Sequence, residues 1–141
     1  MRGPHSRTLP ALKTFVVEDK PWIRDRLEST SEGNQLWEIV DNANNEVDAT
    51  AWQSENDCDL VLVDSYLRHG SGLGTVRAVA SMGKRQSIVV LCEIFTTEMR
   101  RKYLELGAAA VFDRNTQFDQ FTVYCAELAR THRDGNSGEV K

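Results

Sequence analysis

Short apolar runs alternate along this chain with stretches in which apolar residues recur every third or fourth position. The runs are Leu12-Lys13-Thr14-Phe15-Val16-Val17, Leu36-Trp37-Glu38-Ile39-Val40, Leu60-Val61-Leu62-Val63, Ile88-Val89-Val90-Leu91-Cys92 and Ala110-Val111-Phe112. They are rich in β-branched residues and several are apolar throughout, the pattern of strands covered on both faces of a parallel sheet. Between them, helical spacing groups Trp22, Ile23 and Leu27 after Pro21, a residue suited to a first helical turn. Val47, Ala51 and Trp52 mark a second helix, and Leu73, Val76, Val79 and Ala80 a third. Met99, Tyr103, Leu104 and Leu106 mark a fourth, opened by Thr96 or Thr97 and closed by Gly107. Phe118, Phe121, Cys125, Leu128 and Ala129 mark the fifth.

Five strands alternating with five helices predict an α/β fold, a (βα)5 doubly wound parallel sheet with helices on both faces. The 141 residues suit one domain. It is expected over 11–132, because residues 1–10 and 133–141 are polar, lack an apolar pattern and read as flexible tails. In such sheets a site lies at the carboxyl ends of the strands, where strand order reverses.

Charge and composition narrow the function. Lys and Arg number 17 against 21 Asp and Glu, a net charge of −4, which argues against a binder drawn to phosphate backbones or anionic lipid. The longest unbroken apolar runs, Ile88 to Cys92 and Ala108 to Phe112, fall far short of the roughly 20 residues that cross a bilayer. Met1-Arg2-Gly3-Pro4-His5 has no apolar stretch behind it and does not read as a secretory signal. Cys58, Cys92 and Cys125 form no metal or disulfide spacing, so they read as small buried hydrophobes in a reducing cytoplasmic compartment.

The residues that end the strands carry the chemistry. Glu18 and Asp19 follow the first run, Asp64 the third, Cys92 and Glu93 close the fourth, and Asp113 and Arg114 follow the fifth. In the order 2-1-3-4-5 strands one and three are neighbours, so Glu18, Asp19 and Asp64 converge. Three close anions need a cation between them, and Mg2+ takes such oxygen ligands. A carboxylate beside it can attack phosphorus, and Arg114 is placed to pair with phosphate oxygens. Each residue alone has a plainer reading. Asp64 would be a turn residue, Glu18-Asp19 charge that favours a helix N-terminus, Arg114 a solvated side chain; Asp113 is given no role.

Phe15-Val16-Val17-Glu18-Asp19, Asp59-Leu60-Val61-Leu62-Val63-Asp64, Gly70-Ser71-Gly72-Leu73 and Leu106-Gly107-Ala108-Ala109-Ala110 together resemble the receiver domain of bacterial response regulators. The resemblance runs from about Leu12 to about Thr131 and implies a flavodoxin-like, CheY-like sheet. It implies Asp64 as the phosphorylated residue, with Mg2+ held by Glu18, Asp19, Asp64 and the backbone carbonyl of Tyr66. It also implies a sensor histidine kinase or phosphotransfer protein as donor, approaching near Pro21, Trp22 and the loop after Arg114. Trp22 is equally well a core residue. Output would pass to a downstream protein through helix four, strand five and helix five, at Met99, Tyr103, Val111 and the strip from Tyr124 to Thr131; dimerisation through that face is left undecided.

Several positions depart from the family. Cys92 replaces its threonine or serine, and a thiol is a weaker donor. Arg114 replaces its lysine with a longer planar fork. Val111 replaces its aromatic switch residue, while Phe112 faces the other way on the strand and belongs to the core. Arg68 stands where proline is frequent and is expected to loosen its loop. Tyr66 and Ile94, large residues at the positions that flank the phosphoryl group, imply slow hydrolysis. A reactive Cys92 beside Arg114 is the weaker reading, since three acids would raise its pKa. Flavodoxin chemistry is disfavoured because Glu18-Asp19-Lys20-Pro21 would repel a phosphate. An aspartyl phosphatase would need an acid where Tyr66 stands. The expectation is a phosphoacceptor switch rather than an enzyme on an outside substrate, with a phosphorylation-independent binding module as the alternative.

Overall fold

Five parallel strands form one sheet in the order β2-β1-β3-β4-β5. They are β1 (Leu12–Val17), β2 (Trp37–Ala43), β3 (Leu60–Asp64), β4 (Ser87–Cys92) and β5 (Ala110–Asp113). Between and after them run α1 (Trp22–Ser31), α2 (Glu46–Glu55), α3 (Gly72–Ala80), α4 (Thr97–Leu106) and α5 (Phe118–Glu139). This computed structural model describes residues 11–31 and 35–139, with side chains through His132. The expected tail over 1–10 lies outside the described residues.

The central strand β3 is buried at every position, which is why its sequence is continuous Leu and Val. Phe15, Val17, Val61, Val63, Val90 and Val111 face a core shared with α2, α3 and α4. Val16, Leu60, Leu62, Val89 and Leu91 face the opposite core, filled by Ile23 and Leu27 of α1 and by Phe118, Phe121 and Cys125 of α5. The edge strand β2 extends past Val40 to Ala43, because it pairs only with β1 and can carry exposed Asp41 and Asn42.

Two expectations from the pattern are corrected. On α2 the buried residues are Ala49 and Gln53, while Val47 is 76% exposed. Trp52 stacks on Phe15 with ring centroids 4.1 Å apart. Gln53 is buried because its amide meets Cys58 Sγ at 3.7 Å and its Oε1 accepts from Gln86 at 2.7 Å, a polar network that hydropathy does not reveal. At the other end, α5 stays helical to Glu139, beyond the limit drawn at 132. Extending an anchored helix is far easier than nucleating one, so the absence of apolar residues did not end it there.

Candidate functional site

β1 ends between β2 and β3, with Val17 paired to both Ala43 and Val63, so the residues after β1 and the last residue of β3 open on the same edge. Asp64 is that last residue and only 3% exposed. Its Oδ1 accepts from the Tyr66 backbone N–H at 3.0 Å, and its Oδ2 accepts from Trp22 Nε1 at 2.9 Å. Burial raises the Asp64 carboxyl; the two hydrogen bonds and the charge of Arg114 act against that rise, and Asp19 adds to it.

Glu18 is also 3% exposed. Its carboxylate accepts the backbone N–H of Ile23 at 2.8 Å and of Arg24 at 3.3 Å, covering the first turn of α1. Burial nevertheless pushes its carboxyl up to about 7, since the hydrogen bonds and Arg24 offset only part of the desolvation and Asp64 adds to it. Asp19 Oδ2 accepts from the Arg68 backbone N–H at 2.6 Å. Arg114 follows β5 and lies with its Cζ 4.3 Å from the Trp22 ring centroid, its Nη2 3.5 Å from Glu93 Oε1. Asp113 makes a turn, accepting from Asn115 at 2.8 Å and Thr116 at 3.2 Å.

The structure thus brings Glu18, Asp19, Asp64 and Arg114 to one strand edge. Among the described residues, no group of three or more acids, histidines and cysteines stands close enough to hold a metal ion. Each carboxylate is engaged by N–H groups instead. The donor set of Glu18, Asp19, Asp64 and the Tyr66 carbonyl is all oxygen, which suits a hard divalent cation.

The sequence matches the family model of the response regulator receiver domain over residues 14–124. The chain belongs to that family. No curated protein matches it. Among solved structures, the receiver domain of Francisella response regulator 1452 is 16% identical, with a TM-score of 0.73, covering 86% of this chain and 98% of that one. The signal receiver domain of a Luxo repressor protein from Vibrio parahaemolyticus is 13% identical, with a TM-score of 0.77 and coverages of 92% and 98%. CheY in the CheX-CheY-BeF3-Mg+2 complex from Borrelia burgdorferi is 14% identical, with a TM-score of 0.68 and coverages of 85% and 92%.

Against that family the unusual positions take definite places. Cys92 has no exposure, and burial raises its thiol, opposed by a hydrogen bond with Ser65. It is a packed residue rather than a thiolate. Val111 faces the α4 side and Phe112 the α5 side, where its ring lies 5.9 Å from Phe121 and 5.7 Å from Tyr124. Tyr66 and Ile94 project outward, 63% and 77% exposed.

Two expectations change, and the open reading of Trp22 is answered in part. Tyr103 and Val111 are not surface residues of an output face; they are 1% and 5% exposed, because the inward stripe of α4 packs over β4 and β5. Arg68 does not loosen its loop, since its backbone N–H ties that loop to Asp19, a bond that proline could not make. Trp22 packs partly against the α1–α5 core, yet its N–H reaches Asp64. Trp22 was placed at the donor's approach or in the core, and Glu93 was named only as a residue after β4; neither was given its contact in the site, Trp22 with Asp64 and Glu93 with Arg114.

Proposed function

We infer that this receiver domain accepts a phosphoryl group on Asp64 from a sensor histidine kinase or phosphotransfer protein. The observation that carries this reading is Asp64 itself: a buried carboxylate ending the central strand, with Glu18, Asp19 and Arg114 around it. A carboxylate oxygen of Asp64 attacks phosphorus, and the bond from phosphorus to the donor nitrogen breaks. The electron pair stays on that nitrogen, which takes a proton from water. The product is an acyl phosphate on Asp64, whose oxygens Arg114 holds through its planar fork. Glu18, Asp19, Asp64 and the Tyr66 carbonyl would hold Mg2+, which when bound offsets the charge of the incoming oxygens. Tyr66 and Ile94 stand at the rim, where their bulk would slow the approach of water to the acyl phosphate.

The protein reacts only on itself in this reading and has no outside substrate. Its output is a contact with another protein. The face proposed for it is the exposed strip of α5, with Val123, Tyr124, Glu127, Leu128 and Thr131, rather than the buried side of α4. The same strip would serve a second copy. The related CheY from Borrelia burgdorferi was solved with a protein partner, CheX. Cys58, Cys92 and Cys125 are unpaired, which suits a reducing cytoplasm, and no described helix is long and apolar enough to cross a membrane.

Intact-mass spectrometry after incubation with a small phosphoramidate, with and without Mg2+, tests the reading. The expected result is a Mg2+-dependent gain of one phosphoryl group that Asp64→Ala abolishes. No adduct under conditions that label a standard receiver would overturn it and leave a phosphorylation-independent binding module.

A further inference from the structure

Both carboxylate oxygens of Asp64 already have a donor. Oδ1 takes the Tyr66 amide, a bond fixed by the turn after β3, while Oδ2 takes the Trp22 indole at 2.9 Å. The two Asp64 bonds differ in kind. The Tyr66 donor is backbone and local; the Trp22 donor is a side chain 42 residues away, at the first position of α1. The guanidinium of Arg114 lies over the indole ring, 4.3 Å from its centroid, and reaches Glu93 on its other side at 3.5 Å. Side chains that follow β4 and β5 and open α1 therefore close over the carboxylate that ends β3.

That arrangement has a chemical consequence. The indole N–H occupies a lone pair that a cation or an attacking geometry requires, and the ring fills space beside it. A cation over an aromatic face is attracted to it, so Arg114 holds the ring down while the ring keeps Arg114 from a phosphate. One motion of the indole releases an Asp64 oxygen and the guanidinium at once. We propose that Trp22 and Arg114 form a gate over Asp64, shut by the indole hydrogen bond to Oδ2 and opened when Mg2+ or the phosphoryl donor displaces it. The gate rests on the reading of Asp64 as the phosphoacceptor and adds to it a residue that restrains the reaction.

Trp22→Phe separates the gate from its opposite, an indole that orients the carboxylate for attack. Phenylalanine keeps an aromatic face for Arg114 and removes the N–H together with the pyrrole half of the ring, so it both frees the Asp64 oxygen and clears the space beside it. A hydrogen bond to a charged group is strong enough that its loss should tighten Mg2+ binding about tenfold and speed labelling at limiting Mg2+. In the unaltered full chain, the nitrogen-15 resonance of the Trp22 indole should move, and its hydrogen should exchange faster, as Mg2+ saturates the site. That measurement needs no variant and stands even if Trp22→Phe folds poorly. The gate is overturned if Mg2+ shifts the Asp19 and Tyr66 amides but leaves the indole untouched, or if Trp22→Phe binds Mg2+ no more tightly. Slower labelling of Trp22→Phe would also overturn it, by making Trp22 a positioning residue. Absence of labelling in both proteins is the different failure, that of Asp64 as acceptor, and the gate falls with it.

Discussion

A single hydrogen at position 72 gives the Tyr103 hydroxyl its place. Gly72 opens α3, and a Cβ there would collide with that hydroxyl while lying 3.0 Å from both Cα and O of Ser65. Ser65 directly follows Asp64, so the notch between the Tyr103 phenol and the Ser65 backbone lies beside the carboxylate that ends β3. Gly72→Ala should therefore cost about 2 kcal/mol by overpacking, read from the midpoint of urea unfolding. Adding Tyr103→Phe should restore part of it, since the hydroxyl goes while the Ser65 backbone stays. No recovery would show that the phenol is not what fills the notch. The stretch Gly70-Ser71-Gly72-Leu73 was legible as a loop entering a helix. Its reason at Gly72 was not, because the obstructing atom belongs to a residue 31 positions further along.

Helices show the same division between local and distant causes. The ends of α4 were readable: Thr96 caps it by accepting from Met99, and Gly107 leaves it with a φ of 119°. The end of α2 was not. Its last turn has no basic residue, and Lys84, from the loop before β4, comes across to bond the carbonyls of Gln53 and Asn56. A cation there meets both the free carbonyls and the negative end of the helix. Lys84→Met keeps most of the stem and removes the donor, so it should lower stability by about 1 kcal/mol, measured by urea unfolding. An unchanged midpoint would assign the end of α2 to water instead.

The whole molecule hides its thiols in two separate cores. Cys58 lies on the α2–α3–α4 side and Cys125 on the α1–α5 side. Burial pushes Cys58 from 9.0 up to about 11 and Cys125 up to about 12. The folded state then keeps protons that the unfolded chain releases. Stability from these groups is complete below pH 9 and is lost as pH rises through each folded value. At pH 10 the loss should be about 1.4 kcal/mol per thiol. Wild type should fall between pH 8 and pH 10 by about 2.8 kcal/mol more than a Cys58→Ala, Cys125→Ala double variant, in urea unfolding at each pH. Parallel losses would mean that the thiols ionise freely in the folded state.

The alternation of apolar runs with helical spacing was enough to establish the (βα)5 architecture, because strands covered on both faces must be apolar throughout and strand ends need not be. With the strand order, it also placed Glu18, Asp19, Asp64 and Arg114 at one edge. Tertiary structure alone decided what those residues touch. The indole that meets Asp64 comes from 42 residues away, and the amide that meets Asp19 from 49. Nothing in the apolar pattern marks Gln53 as buried; Cys58 and Gln86 close around it. Periodicity reports which face of an element avoids water, since that preference is local and repeats along the chain. A hydrogen bond between distant residues leaves no such period, because its partner is chosen by the packing of whole elements.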